Sequence, residues 1–458
     1  MTTSVSEAVP ENLPTPGSGL RGRLLRGSLF ELSGYGIQQV LRLGSNLILT
    51  RLLFPAAFGL ASIVSLFLTG LIMLSDVAVG PCIIQSKRGD ELAFLNTGFT
   101  LQAVRGPLLA LLMILLAKPA AWFYRDPHLT PLICFGSLQL IINGLHSTSV
   151  FTLRRSLRLG WVNGLELGQT LIAVPLTILL ARIYPSPWAL VIGSSSGALV
   201  YTVASHFLPV PYRNRFHWDR SALLELRQFG RWVLGSSAAT FFGGQSDRIL
   251  LGRFLGVAWL GIYSVATNLS DALGAVILRL VNGVMYPALS EAGRSNRDNI
   301  SDFYYRLRKR LDLLSMTGTG FLAGAGGWIV EVLWDRRYTD AAWILQVLCV
   351  RVAVSLIVSP SETCLFSLGL TRYGFQRSVI RLVASLAFLP AGWYLAGVRG
   401  VIWGTVATEL STVLAVWPKC RSLGILRIGK ELRSIAIFGA CLAAGTLVRR
   451  WLPHIHLR

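Results

Sequence analysis

Charged residues are scarce in this sequence. Only 14% of its 458 residues are Asp, Glu, Lys or Arg, whereas 53% are hydrophobic, and the mean hydropathy is +0.56. A soluble domain of this length needs a far more polar surface, so the composition excludes that class and indicates a membrane protein with many spans. The short alternating segments of transmembrane β-strands are also missing. Because the apolar runs are long and continuous, the spans are predicted to be helical.

Motifs for metal, redox and nucleotide chemistry are absent as well. The six cysteines are scattered without a CxxC pair, and the six histidines form no cluster, so neither a metal site nor a cofactor is expected. There is no Gly-rich motif of the P-loop type, which argues against direct use of ATP. The first 27 residues are polar and rich in Pro and Gly, and are not a cleavable signal peptide.

Acidic residues are outnumbered by basic ones, 22 to 43, which gives a net charge of +21. In a soluble protein this excess would indicate a nucleic-acid partner, but in a membrane protein Lys and Arg collect on the cytoplasmic side. With the N-terminus in the cytoplasm, the cytoplasmic segments hold more than twice as many Lys and Arg as the opposite face. The excess therefore predicts an orientation and requires no nucleic acid.

The apolar runs predict thirteen helices. Twelve are expected to form a core, and whether the last one spans the membrane is left open, since it is short and precedes a basic end. The predicted ranges are 28–50, 57–85, 94–117, 129–150, 163–182, 188–209, 231–252, 257–288, 311–334, 342–368, 378–397, 400–417 and 434–448.

The two halves of the chain show an internal repeat. With one gap, "SNLILT-RLLFPAAFGLAS" (45–62) aligns with "SDRILLGRFLGVAWLGIYS" (246–264), so that Gly59 meets Gly261. Six helices separate the copies, and this even number predicts a parallel repeat with its axis along the membrane normal. The chain is thus predicted to be an all-α polytopic membrane protein of two six-helix bundles. The predicted units are a disordered cytoplasmic tail (1–27), an N-terminal bundle (28–210), a cytoplasmic linker (211–230), a C-terminal bundle (231–418) and a basic segment with an additional helix (419–458).

Several charges fall inside the predicted spans. Each costs at least ~2.5–3.5 kcal/mol at the bilayer centre, so these side chains are expected to face water, to pair, or to reach the interface. Side chains that reach the membrane interface are predicted at four positions near helix ends, Glu31, Arg51, Arg253 and Glu409. The remaining charges within the spans are Arg42, Arg105, Arg248, Arg279, Arg351, Asp76, Glu166, Asp247, Asp271 and Glu362.

Polar residues recur at helical spacing on the first, second, seventh and eighth helices. Steps of three, four or seven residues place each set on one face, as for Ser62, Ser65 and Thr69. Hydrogen bonds between packed helices are one explanation. Arginines within these stripes favour the other explanation, a hydrophilic cavity between the bundles.

Five segments carry a family resemblance: "RLLFPAAFGLASIV" (51–64), "LLSDVAVGPCIIQ" (73–85), "TLRRSLRL" (152–159), "DRILLGRFLGVAWLGIYSVA" (247–266) and "MYPALSEAG" (285–293). They resemble the polysaccharide transporter branch of the multidrug/oligosaccharidyl-lipid/polysaccharide (MOP) exporter superfamily, which contains bacterial O-antigen and exopolysaccharide flippases. The resemblance implies two six-helix bundles around a V-shaped cavity of alternating access, lined by helices 1, 2, 7 and 8. It also implies a flippase that carries undecaprenyl-pyrophosphate-linked oligosaccharide across the bacterial inner membrane.

Such a substrate assigns roles to the polar residues of the spans. Arginine suits phosphate oxygens because its charge is permanent and its donors are forked. The predicted pyrophosphate ligands are Arg42, Arg248 and Arg279, followed by Arg105 and Arg351. The predicted sugar contacts are Gln38, Gln39, Asn46, Asn268 and Asn282, with stacking on Tyr35 or Tyr263. The predicted ion-coupling acids are Asp76, Asp247 and Asp271, although Asp247 could instead neutralise an arginine.

The expected partners are the lipid-linked glycan, membrane lipid, a proton or cation gradient, and a glycan polymerase with its export machinery. Two alternatives within the superfamily are a drug/cation exporter, which would favour an acidic and aromatic cavity, and a flippase for the peptidoglycan lipid precursor. A third is a polyprenol-dependent membrane enzyme. Because such enzymes need catalytic carboxylates or a large outer loop, and the outer loops here are short, no enzyme is expected.

Overall fold

The computed structural model describes residues 19–75, 78–295 and 300–451, which form helices joined by short connections. A π-helical turn, Val281–Met285, joins the helices Val257–Leu280 and Tyr286–Ser295, and a 3₁₀ turn, Arg336–Tyr338, lies between the helices Ile300–Leu333 and Ala341–Ser367. The helices are α1 Gly19–Leu52, α2 Pro55–Leu74, α3 Val79–Gln85, α4 Leu92–Tyr124, α5 Leu129–Gly136, α6 Leu138–Gly144, α7 Ser149–Arg155, α8 Leu159–Ile183, α9 Pro187–Ser205, α10 Arg220–Leu255, α11 Val257–Leu280, α12 Tyr286–Ser295, α13 Ile300–Leu333, α14 Ala341–Ser367, α15 Arg372–Ser411, α16 Val413–Ser422 and α17 Ile428–Trp451.

The described helices account for thirteen passes. Nine are long and apolar enough to cross a membrane, or ten with the bent segment of α5 to α7. The run 372–422 turns back at Ala396 and Gly397, where the backbone leaves the helical region, so that it makes two passes. α1 and α10, with 34 and 36 residues, are also long enough to span, although they carry more polar and charged residues. This architecture confirms the predicted class of an all-α polytopic membrane protein.

Several helix ends differ from the predicted ones. α1 begins at Gly19, inside the segment predicted to be a disordered tail, and α10 begins at Arg220, inside the predicted linker. The second predicted helix breaks between α2 and α3, where Ala78 has a left-handed backbone conformation. Asp76 lies outside the described residues. The last helix, α17, is longer than predicted, and its segment 428–448 is apolar enough to span.

The two halves meet where α2 crosses α11. A Cβ atom added to Gly59 would lie 1.8 Å from the carbonyl oxygen of Val257, and one added to Gly261 would lie 1.8 Å from that of Pro55. One turn further along, the hydroxyl oxygens of Ser62 and Ser264 are 2.6 Å apart. Each pair is related by the offset of the predicted repeat, so the contact is pseudo-symmetric. Only glycine permits the two backbones to approach this closely.

The loops next to this crossing close the same end of the molecule. The Tyr338 hydroxyl donates to the carbonyl oxygen of Leu53 over 2.9 Å, and its ring meets that of Phe58 edge-on. The Arg337 guanidinium lies 4.7 Å from the centre of the Phe54 ring. The connection between α13 and α14 is therefore fastened to the corner between α1 and α2.

The C-terminal helix α17 packs along α13. A Cβ atom on Gly320 or Gly324 would lie within 2.6 Å of carbonyl oxygens of α17, and one on Gly445 within 2.7 Å of the Phe321 carbonyl oxygen. Small residues at this spacing let two helices approach closely in a membrane. We conclude that α17 is an integral part of the helical bundle.

The glycine crossing can be tested by substitution of Gly261 with Ala. The added methyl group would collide with the Pro55 carbonyl oxygen, and overpacking of this kind costs about 1–3 kcal/mol. We expect a lower midpoint of thermal unfolding for the purified protein. Gly164→Ala in α8 is the matched control, because no atom lies within 4 Å of its added Cβ. Equal midpoints for the two variants would contradict the close crossing.

Candidate functional site

A polar cavity of about 410 Å³ lies between the two halves, formed by α1, α2, α9, α10 and α11. Eight apolar residues, among them Phe58, Leu68 and Leu190, form part of its wall, and ten residues with hydroxyl, amide or guanidinium groups form the rest. The polar lining residues are Gln39, Arg42, Ser45, Asn46, Ser62, Ser65, Ser194, Arg248, Ser264 and Asn268. Five predicted ligands, on three different helices, thus share one cavity: Gln39, Arg42, Asn46, Arg248 and Asn268.

Arg42 and Arg248 are the charged residues of the cavity lining, and both are cations. Arg42 lies on α1 and is exposed; Arg248 lies on α10 and is half-buried. Within the described ranges, neither guanidinium makes an ion pair with a carboxylate. The side-chain oxygen of Asn46 is also buried in the described structure without a hydrogen-bond donor. The cavity therefore presents positive charge to whatever enters it.

Asp247 lies beside the cavity and is held by its neighbours. One carboxylate oxygen accepts a hydrogen bond from the Tyr263 hydroxyl over 2.5 Å, and the other accepts from the backbone N–H of Arg248 over 2.8 Å. Tyr263 itself is 1% exposed. The Asp247 carboxylate is thus bonded to Tyr263 rather than to the guanidinium of Arg248, and Arg248 lines the cavity.

Arg351 and Asp271 form an ion pair between α14 and α11. Their nearest oxygen and nitrogen atoms are 2.8 Å apart, and the exposed fractions of the side chains are 10% for Arg351 and 48% for Asp271. The predicted pyrophosphate ligand Arg351 thus shares a bond with the predicted coupling acid Asp271. Neither lines the cavity that contains Arg42 and Arg248.

The remaining predicted residues lie outside the cavity lining. The Arg279 guanidinium stacks 3.7 Å from the ring centre of Tyr35, which joins α11 to α1. Gln38 is buried, and Asn282 is exposed within the π-helical turn. Arg105 donates to the Ser75 hydroxyl and to the carbonyl oxygen of Ile72, at the end of α2.

The prediction that Glu409 reaches the membrane interface is wrong. Its side chain is 2% exposed and pairs with Arg377 over 2.9 Å and Arg381 over 3.4 Å; Arg377 also pairs with Glu362. The sequence shows no spacing signal for these contacts, because Arg377 and Arg381 precede the turn of α15 at Ala396 and Gly397, Glu409 follows it, and Glu362 lies on α14. An unpaired carboxylate buried here would be strongly destabilising, and the ion pairs with Arg377 and Arg381 compensate the charge of Glu409. Arg253 lies 5.7 Å from the Phe123 ring centre, and the Glu31 side chain lies outside the described residues.

A second buried cluster was not predicted at all. Arg308 of α13, fully buried, binds both carboxylate oxygens of Glu431 in α17 over 2.6 Å. It also pairs with Asp312 over 2.9 Å. The sequence analysis assigned no role to Arg308, and the spacing of four residues to Asp312 was the signal that could have identified a helical pair.

The connection between the halves is fixed to the N-terminal bundle. Backbone N–H groups of Arg215, His217 and Asp219 donate to side-chain oxygens of α4. Hydrogen bonds from Ser221 lower the pKa of the Asp219 carboxyl to about 2, so Asp219 is ionised at neutral pH at the start of α10. Arg88 bonds the same carboxylate over 3.1 Å. The linker is thus tied to the bundle that precedes it.

The described residues contain no group of three His, Cys, Asp or Glu side chains arranged to hold a metal ion. Residues 48–343 match the family model described as "Polysaccharide biosynthesis protein". The succinoglycan biosynthesis transport protein ExoT of Rhizobium meliloti (strain 1021) is 25% identical over 373 residues, which cover 81% of this chain and 74% of ExoT.

Two solved structures show the same fold. The lipid II flippase MurJ, in an inward closed conformation, is 12% identical with a TM-score of 0.75, and the match covers 93% of each chain. A multidrug resistance MATE family transporter of the MOP superfamily, in an inward-facing conformation, is 13% identical with a TM-score of 0.68. That match covers 87% of this chain and 98% of the transporter.

Proposed function

Because this chain belongs to the family of polysaccharide biosynthesis proteins and has the fold of the MOP exporters, we propose that it is a flippase for lipid-linked oligosaccharide units. It moves an undecaprenyl-pyrophosphate-linked unit from the cytoplasmic to the outer leaflet of a bacterial inner membrane. The unit then enters exopolysaccharide, O-antigen or capsule synthesis. The observation that carries this proposal is a cavity between the halves whose charged lining residues are both arginines.

The pyrophosphate binds Arg42 and Arg248. It carries about two negative charges, which cannot cross hydrocarbon without compensation. Two guanidinium groups on opposite halves of the molecule supply that compensation, and each can bond phosphate oxygens with two donors. Arg279 is a further ligand, released from Tyr35 when α1 and α11 separate. Arg105 and Arg351, which already bond protein groups, hold the helices around the site.

The sugars bind the amide and hydroxyl side chains of the cavity. Asn46 has a buried acceptor oxygen without a donor, and a sugar hydroxyl supplies one. Gln39 and Asn268 line the same space, while Gln38 and Asn282 extend the polar surface beyond it. A cavity of about 410 Å³ holds part of an oligosaccharide, so the chain must open further to admit a complete unit.

The polyprenyl chain stays in lipid beside the cavity. An apolar groove of about 480 Å³ lies between α2 and α4 of one half and α10 of the other. Its walls include Leu66, Gly70 and Phe241, and the Phe241 ring fills the space where a Cβ atom of Gly70 would lie. Residues of α2 and α10 line both the groove and the cavity. The headgroup therefore crosses through the cavity between these helices, while the polyprenyl chain moves along the apolar groove outside it.

Alternating access requires the glycine crossing to open. Contacts between α2 and α11, and between the corner 51–58 and Tyr338, close one end of the molecule. By the distribution of Lys and Arg, this end faces outward and the N-terminus lies in the cytoplasm. We assign the structure to a state closed on the outside, from which separation of the paired glycines would open the cavity.

Proton or cation exchange at Asp247 drives the cycle. The carboxylate accepts a hydrogen bond from the Tyr263 hydroxyl and directly precedes Arg248 in α10, so protonation changes the electrostatic field at the phosphate site. Asp271 is half exposed and pairs with Arg351, which makes it the second coupling acid. Asp76 remains a third candidate from the sequence. This chain catalyses no reaction itself and works together with a glycan polymerase and its export machinery.

Alanine substitutions test the phosphate ligands. In a strain that lacks this protein, complete lipid-linked units should accumulate on the cytoplasmic leaflet, and the wild-type gene should clear them. Arg42→Ala and Arg248→Ala should reduce export at least tenfold, because a lost charge-assisted bond costs roughly 1.5–3 kcal/mol. The lysine variants should retain part of the activity. The measurement is the distribution of radiolabelled units between the two leaflets.

Arg182→Ala is the matched control, since Arg182 is exposed at the end of α8 and makes no bond in the described structure. It should export normally. Full activity of the Arg42 and Arg248 alanine variants would refute the phosphate assignment. Truncated units in the deletion strain would place the protein in synthesis of the units instead. Accumulation of peptidoglycan precursor would favour the alternative function, a flippase for that precursor.

Asp247→Asn tests the coupling role. If this carboxylate carries the proton, the transport rate of the Asp247→Asn variant should no longer change with pH. Tyr263→Phe should shift the pH profile, but its transport rate should still depend on pH. Both variants retain the shape of the original side chain. The rate is measured in proteoliposomes with an imposed pH gradient. An unchanged profile in Asp247→Asn would return Asp247 to the role of a neutralising partner.

A further inference from the structure

We propose that a pocket between the first turns of α13 and α17 binds the phosphate headgroup of an anionic phospholipid. The pocket has a volume of about 210 Å³ and is remote from the cavity, with which it shares no lining residue. Four basic side chains line it, Arg306, Lys309, Lys430 and Arg433. The size and charge fit one phosphate group with its ester oxygens.

The four basic side chains are available to a ligand. All four are exposed, and none pairs with a carboxylate within the described parts of the chain. The Lys430 ammonium nitrogen lies 4.5 Å from the ring centre of Tyr305, which holds it over the pocket. Asp302, the acid at the start of α13, is already paired with Arg427 over 2.6 Å.

The carboxylates beneath the pocket are occupied by other donors. Glu431 receives both Arg308 donors and the Tyr305 hydroxyl, and Asp312 receives Arg308 and the Ser434 hydroxyl. With Arg308 included, five cations face two carboxylates, which leaves an excess of three positive charges. An anion in the pocket would balance this excess.

The lower wall of the pocket identifies the ligand as a lipid. Leu313 and Ile437 lie below the basic rim, and Leu314 and Leu432, each 58% exposed, continue the apolar surface away from it. A phospholipid meets both parts, since its phosphate contacts the rim and its acyl chains contact the leucines. Basic pockets between transmembrane helices at the cytoplasmic side bind lipid headgroups in this way. Free phosphate would use the rim alone.

The pocket is rigid before any ligand binds. The buried Arg308 pairs join α13 to α17 at its base, and the glycine contacts of Gly320, Gly324 and Gly445 continue the junction along both helices. A preformed site loses less conformational entropy on binding. The bound lipid would anchor α17, the helix beyond the twelve-helix core, to the cytoplasmic leaflet.

Native mass spectrometry of the purified full-length protein, titrated with phosphatidylglycerol, tests this site. The triple variant Lys309→Gln, Lys430→Gln, Arg433→Gln should bind the lipid more weakly, by about fivefold for each residue removed. The wild type should bind phosphatidylcholine, which has no net charge, more weakly than phosphatidylglycerol. Thermal unfolding of the variant verifies that it is folded.

The matched control removes three exposed cations elsewhere on the same face, Arg158→Gln, Arg213→Gln and Arg215→Gln. It should bind phosphatidylglycerol as the wild type does. Equal weakening in both variants would mean general surface attraction and overturn the site, as would equal binding of the two lipids. Displacement of the lipid by excess inorganic phosphate would show a phosphate site and overturn the lipid assignment. None of these outcomes depends on glycan transport, so the flippase proposal stands or falls separately.

Discussion

An ionised side chain in the hydrocarbon region needs a partner or water, and this constraint organises the interior of the molecule. It divides the intramembrane arginines into two groups. Arg308, Arg351 and Arg377 are buried in ion pairs that join different helices. Arg42 and Arg248 have no such pair in the described structure and border a cavity. The first group stabilises the packing of the helices, and the second is available to a substrate that brings its own negative charge.

The crossing of α2 and α11 determines where that cavity lies. Gly59 and Gly261 bring the two backbones together at one end, and polar residues of α2 and α11 beyond this crossing line the cavity. The serine pair 62 and 264 lies at the base of this space and lines it. The repeat thus supplies both halves of the contact, and a change at this crossing would alter the access of the cavity to either side of the membrane.

Much of this architecture could be predicted from the sequence. Thirteen apolar runs correspond to thirteen passes, and the repeat aligned Gly59 with Gly261, two residues that the structure also brings into contact. Helical spacing also placed Arg42, Asn46 and Asn268 on faces that share a cavity. Spacing within a helix shows which side chains share a face, and a repeat shows which helices correspond.

The partners of the buried charges could not be predicted in the same way. Arg351 meets Asp271 from 80 residues away and Arg308 meets Glu431 from 123, distances at which periodicity carries no information. The burial of Glu409, which was expected at the interface, could not be predicted for the same reason.

The central claim, that unpaired cavity arginines bind a pyrophosphate, is tested most directly in proteoliposomes. The account predicts that the purified protein moves a polyprenyl-pyrophosphate-linked oligosaccharide between leaflets and does not move the same oligosaccharide joined to the lipid by an uncharged linker. Equal rates for the two lipids would contradict it.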